Sequence, residues 1–588
     1  MNFTSLFRTV PALVLAAVLP QLARAQSSDE GLSALFQRYL DAKFQLQPVT
    51  ATALGDHRFD RELDDLSPAA RAQWLALDRR TLASLQSLAM EQLSAPAQID
   101  YKILKTELER SIWLTENLRP FEQDPRSYTS YIGDSVYLLL EQSTLPKETN
   151  LSNAIVRMRQ IPKVIAAAQA NLRNPPRQLL DTAIRQNRGS ISFYESDLFE
   201  FAGTTPQLDA LKQAAAEVRS QLEAYQKWLE QELLPRANGE WRIGREKFSR
   251  KLELESDAGL SADQVLAEAQ AEFARVQRDL YVIARQLWSR YFAAQPLPPD
   301  DESGRRSTIR LVLEEIGKDH CEPKELVGEV TLAVSRIKEF IAQADILRLP
   351  EPDTCRIVEM PEFQRGNSTA YMNPPPPLDP RAKGFYAVSP PPKDWEAPKI
   401  ASYLSEYNRK MLQVLTIHEA YPGHYIQFEY ANRNPSKIRR VLQSGVYVEG
   451  WAVYTEQMML DQGYGNGDLA LRMNQLKFYL RAVANTILDH QMHCTAMSDD
   501  EAFKFLTEGA YQSEGEARLK IVRAKQSSVQ LSTYFVGRLA HYRLRQAIAR
   551  EQGANFNLGR YHEAVLSLGA VPVKYLPELV RARLAQPR

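Results

Sequence analysis

His418-Glu419-Ala420-Tyr421-Pro422-Gly423-His424 places two imidazoles and a carboxylate within seven residues of a chain that holds only eight histidines. Twenty-five residues beyond His424, the stretch Glu449-Gly450-Trp451-Ala452-Val453-Tyr454-Thr455-Glu456 offers further carboxylates on what reads as a second helix. Two imidazoles and one carboxylate form the ligand set of a hydrolytic zinc site that keeps a fourth position open for water. The spacing is unusual. Histidines four apart lie on one helix face, whereas six residues at ~100° each turn His424 ~120° away from His418 on an unbroken helix. Pro422 supplies the remedy, since its ring clashes with the carbonyl of His418 and forces a kink or bulge. Gly423 then tolerates the backbone this requires. The expectation is a distorted turn that returns His424 to the metal side.

Chemistry assigns the remaining roles. Glu419, beside a ligand and not itself aimed at the ion, is the expected general base. Glu449 and Glu456 are two helical turns apart and share a face. Glu449 is assigned to the metal with His418 and His424, and Glu456 to the free ring nitrogen of a histidine; the reverse assignment stays open. Zinc is the expected ion. The same donors also hold iron in oxygenases, an alternative that gives Glu419 no task.

Around this motif the pattern is mainly α. Apolar residues recur at three and four through 30–46, 68–93, 100–118, 151–172 and 208–234. Ser261-Ala262-Asp263-Gln264 and Ser498-Asp499-Asp500-Glu501 are capping boxes opening further helices. Short strands are expected at 356–360, 369–372 and 383–388, bounded by Pro374–Pro377 and Pro390–Pro392 and therefore near a sheet edge. Such an edge, just upstream of the histidines, suits an extended peptide, and equally a hairpin that only covers the core.

Lys plus Arg and Asp plus Glu both number 72, so no basic surface argues for nucleic acid. Arg8, an apolar run over 10–19 and Ala23-Arg24-Ala25 read as a leader over 1–25, cleaved after Ala25. The run is far short of the ~20 residues that span a bilayer, and no cysteine follows it to accept lipid. The expected product is an exported protein, periplasmic or extracellular, with no membrane anchor after cleavage. Residues 26–588 are expected to form one unit, with a helical part over 26–240 and a catalytic part over 241–588. Cys321, Cys355 and Cys494 are too few for a disulfide framework, and whether the first two pair stays open.

Taken together, these residues resemble the bacterial domain-of-unknown-function 885 family, which is similar to zincin peptidases. The match extends upstream to Leu54-Gly55-Asp56-His57-Arg58-Phe59-Asp60 and Ile99-Asp100-Tyr101, and downstream to Asp489 with His493, Arg523, and Gln530 with Tyr534 and Gly537. The resemblance implies a large helical gluzincin-like unit, similar to helical carboxypeptidases and oligopeptidases, with a small sheet near the active site. It also implies a hydrolase of short peptides or another small amide or ester. Tyr534 resembles the tyrosine that stabilises the oxyanion in such enzymes, and His493, Arg523 and Tyr371 are candidate substrate contacts.

Overall fold

The computed structural model describes residues 13–586 except 142, 361–368 and 394, with side chains from residue 27 onward. Of the expected leader, residues 1–12 lie outside the described residues; from Leu13 the chain is helical through Leu46.

The chain is mainly helical, and several helices begin at the caps expected of them. Ser261 accepts from the backbone N–H of Gln264 while the Gln264 side chain returns to Ser261, opening the long helix Ala262–Tyr291. Ser498 and Glu501 do the same for the short helix Asp499–Lys504. The stretch expected as one helix over 151–172 is two, Lys147–Met158 and Ile161–Asn171. Pro162 lies in the first turn of the second, where its missing N–H costs nothing.

The only sheet among the described residues has three strands: β1 (Arg356–Glu359), β2 (Ala370–Asn373) and β3 (Phe385–Val388), in the order β1-β3-β2. β3 is central and wholly buried, pairing in parallel with β1 and antiparallel with β2. β2 is thus an edge strand.

Apolar packing divides the molecule differently from the chain order. Helices within residues 32–108 share one core with the sheet and much of the region after residue 321. Helices between about 126 and 233 enclose a separate core. The helices Ala262–Tyr291 and Leu469–Cys494 anchor a third. Part of the expected N-terminal helical part therefore shares a core with the region after residue 321. His57 helps join them: Nδ1 lies 2.9 Å from Asp60, and Nε2 3.3 Å from Asp379, beyond β2.

Candidate active site and metal centre

The helix Arg409–Glu419, capped by Asn408 on the N–H groups of Lys410 and Met411, delivers His418 and Glu419 in its last turn. A bulged continuous helix was expected; the chain instead leaves the helix at Ala420, turns through Tyr421-Pro422-Gly423, and starts a new helix, His424–Asn432. His424 is thus freed from the angular register of His418. Gly423 takes an irregular backbone, φ −70° and ψ −131°, and close approach requires a glycine there as well. A Cβ there would stand 1.9 Å from the His418 carbonyl oxygen and 2.3 Å from that of Ile417. The turn is folded back onto the helix end it leaves, and the Trp451 indole N–H donates to the Pro422 carbonyl at 2.9 Å, tying it to the third element.

That element is the helix Gly445–Asp461, which carries Glu449 and Glu456. Glu449 Oε2 lies 3.8 Å from His418 Nε2 and 3.5 Å from His424 Nε2. One ligand atom from each of the three residues falls within 4.8 Å of the others. The imidazole planes are nearly perpendicular, 89° apart. Atoms ~2.0–2.1 Å from a tetrahedral ion stand ~3.3–3.4 Å apart, and the two carboxylate–imidazole separations of 3.5 and 3.8 Å lie close to that spacing. Glu456, fully buried, lies 2.7 Å from His418 Nδ1 and fixes the ring with Nε2 facing the cluster.

Glu419 stands beside the cluster, its Oε2 accepting the backbone N–H of Met372 on β2 at 3.0 Å. Burial pushes its carboxyl up to about 7. Burial also drives His418 down to about 3 and raises Glu456 well above the usual range, favouring the uncharged forms of both. Burial opposes ionisation of Glu449 and His424 too, but their mutual contact outweighs it, holding Glu449 low and His424 high.

Tyr534, near the start of the helix Thr533–Gln552, comes close because that helix crosses Gly445–Asp461 backbone to backbone. A Cβ on Gly450 would stand 2.2 Å from the Gly537 carbonyl carbon, and one on Gly537 1.9 Å from the Val446 oxygen. The Tyr534 hydroxyl oxygen accepts from Arg523 at 3.1 Å and Gln530 at 3.3 Å, leaving its own proton free to donate.

These groups line a cavity of about 1330 Å³. Its far wall comes from the helices Arg126–Glu141 and Arg177–Ser192, joined to the C-terminal half where Arg126 donates to Gln526 Oε1 at 3.2 Å. Tyr371 and Arg523 line this cavity. His493, expected as a substrate contact, does not: it is buried, with Nε2 at 2.9 Å from the Ala524 carbonyl and 2.8 Å from that of Ser527. Its i,i+4 neighbour Asp489 is equally internal, accepting from Val529 N–H and the Ser532 hydroxyl. The sequence reading missed the Met372 N–H on Glu419, and Arg481, Glu516 and Lys520 on the cavity wall; the 516, 520, 523 spacing on one helix face was the available signal.

The fold and site thus define a large helical protein with a two-histidine, one-glutamate donor cluster on the wall of a deep cavity. The model for "Bacterial protein of unknown function (DUF885)" matches residues 48–580, and the chain belongs to that family. It is similar over 94% of its length to the structure of a "putative lipoprotein of unknown function" from Shewanella oneidensis, with 31% identity, 99% coverage of that chain and a TM-score of 0.78. A "putative lipoprotein" from Colwellia psychrerythraea shares the fold at 18% identity and the same TM-score, over 95% of this chain and 99% of that one. No curated protein matches the chain. Among the described residues no helix is long and apolar enough to cross a membrane.

Proposed function

We propose that this protein is an exported zinc-dependent hydrolase, a zincin-like metallopeptidase that cuts short peptides. The observation that carries the reading is the convergence of His418 Nε2, His424 Nε2 and Glu449 Oε2, with Glu419 anchored alongside and the whole group open to a large cavity. His418, His424 and Glu449 would hold the ion, which when bound supplies Lewis acidity toward a carbonyl and acidifies water. Glu419 accepts the proton released and returns it to the leaving amine. The Met372 N–H fixes one of its oxygens and leaves the other for that transfer. Tyr534 donates its free hydroxyl proton to the developing oxyanion. β2, an edge strand with Tyr371 and Met372 at the cavity, offers main-chain groups along which an extended peptide can align. Export is supported by the leader-like N-terminus and by the lipoprotein descriptions of the two similar structures.

The test is metal analysis of the purified protein together with digestion of a mixed peptide library by the wild type and by Glu419→Gln. Zinc in both, with cleavage only by the wild type, is expected. Iron in place of zinc, or equal cleavage by the variant, refutes the reading.

A further inference from the structure

The helix Glu514–Gln526 presents Glu516, Lys520 and Arg523 to the same cavity. Their charges do not balance. Glu516 is already engaged, 2.7 Å from Arg481 and accepting the Tyr407 hydroxyl at 3.2 Å. Arg523 donates only to neutral groups, Gln530 and Tyr534. Lys520 is 5% exposed, and its ammonium has neither a hydrogen bond nor an ion pair with any described residue. A lysine so enclosed is ordinarily paired, because an uncompensated buried charge is costly. Burial, Arg481 and Arg523 all push it toward the neutral amine, and Glu516 offsets them only in part. One end of the cavity therefore holds a lysine and an arginine, one turn apart, with no carboxylate hydrogen-bonded or ion-paired to either among the described residues.

We propose that Lys520, aided by Arg523, receives the free C-terminal carboxylate of the substrate, making this protein an exopeptidase that works from the C-terminal end. The inference rests on the peptidase reading and narrows its substrate class. A carboxylate entering here favours the ammonium form of Lys520, and the guanidinium and ammonium can share its two oxygens. Position agrees with this. Arg523 touches Tyr534, and its charge acts on Glu449. Lys520 lies three residues back, ~4.5 Å along the helix axis. A peptide residue spans ~3.3–3.6 Å, so the carboxylate sits within about two residues of the bond to be cut.

The experiment uses zinc-loaded Glu419→Gln protein, so that ligands bind without being consumed, and calorimetric titration with N-acetylated tripeptides as free acids and as C-terminal amides. The free acid is expected to bind at least tenfold more tightly than the amide. Adding Lys520→Met should bring that ratio close to one while leaving amide affinity unchanged, and Lys520→Arg should restore part of it. A general loss of structure would weaken both ligands together. Equal binding of acid and amide in the parent, or an unchanged ratio in Lys520→Met, overturns the inference and leaves the peptidase reading standing. An amidated peptide with an acidic side chain that binds as tightly as the free acid also overturns it, assigning the site to side-chain carboxylates. If tripeptides fail to bind but N-acyl amino acids bind with the same Lys520 dependence, carboxylate recognition stands and the peptide reading falls. If nothing binds, both fall.

Discussion

Replacing Gly450 by Ala tests whether a backbone contact between two helices sets the geometry of the site. The added methyl would stand 2.2 Å from the Gly537 carbonyl carbon and 2.3 Å from its Cα, against ~3.5–4.0 Å for carbon atoms at rest. Alanine has no rotamer by which to escape, so the helices Gly445–Asp461 and Thr533–Gln552 must part by more than ~1 Å. Overpacking of this kind costs ~1–3 kcal/mol, and the better helix propensity of Ala returns ~1 kcal/mol of it. The net loss is therefore about 0–2 kcal/mol, a fall of at most ~2 °C in Tm for a chain this long. The functional loss should be larger. Glu449 adjoins Gly450 and Tyr534 lies one turn before Gly537, so parting the helices separates the proposed metal ligand from the proposed oxyanion donor; a misplacement of ~1 Å costs ~100-fold in rate. Thermal unfolding, zinc competition with a chelating dye and peptide turnover read the three effects. Gly445→Ala is the control, since nothing lies within 4 Å of its added methyl. Wild-type turnover and Tm in Gly450→Ala would refute the reasoning.

Glu456→Ala removes the partner of His418 Nδ1 at a fully buried position, and zinc affinity in the same dye competition should fall ~10–100-fold. Tyr534→Phe keeps the ring and deletes the donated proton; kcat should drop ~100-fold or more with zinc content unchanged. Asp489 is buried, and burial raises its carboxyl to about 7 from 3.8. A folded-state value above the unfolded one means that its stabilising contribution is present below about pH 4 and is lost as pH rises through about 7. Asp489→Asn removes that titration. The unfolding free energy of the wild type relative to the variant should fall by on the order of 4 kcal/mol between pH 3.5 and pH 8 in urea titrations; parallel pH profiles would contradict it.

The donor cluster was legible because its chemistry is local: two histidines and a pair of glutamates two turns apart mark by residue type and spacing the side chains that the fold brings together. The way the chain reconciles them was not. Proline predicts a disturbance after His418, but only the close approach of Gly423 to the His418 carbonyl shows that one helix ends and another begins. The three strands were marked by prolines and β-branched or aromatic residues, whereas the β1-β3-β2 order, which puts β2 at the edge against Glu419, depends on long-range pairing. Lys520 and His493 show the limit most clearly. A lysine on a charged helix reads as solvated and a histidine near an aspartate reads as functional, yet the tertiary fold encloses the first at the cavity and sinks the second among backbone carbonyls.

The interruption between His418 and His424 bears on how proteins of this kind are found. A search that demands two histidines one turn apart on a single helix passes over this chain, although one donor atom from each of His418, His424 and Glu449 lies within 4.8 Å of the others. For relatives whose intervening residues vary in number, the durable signature is spatial: a helix that stops at a carboxylate, a glycine pressed against the stop, and a restart on an imidazole.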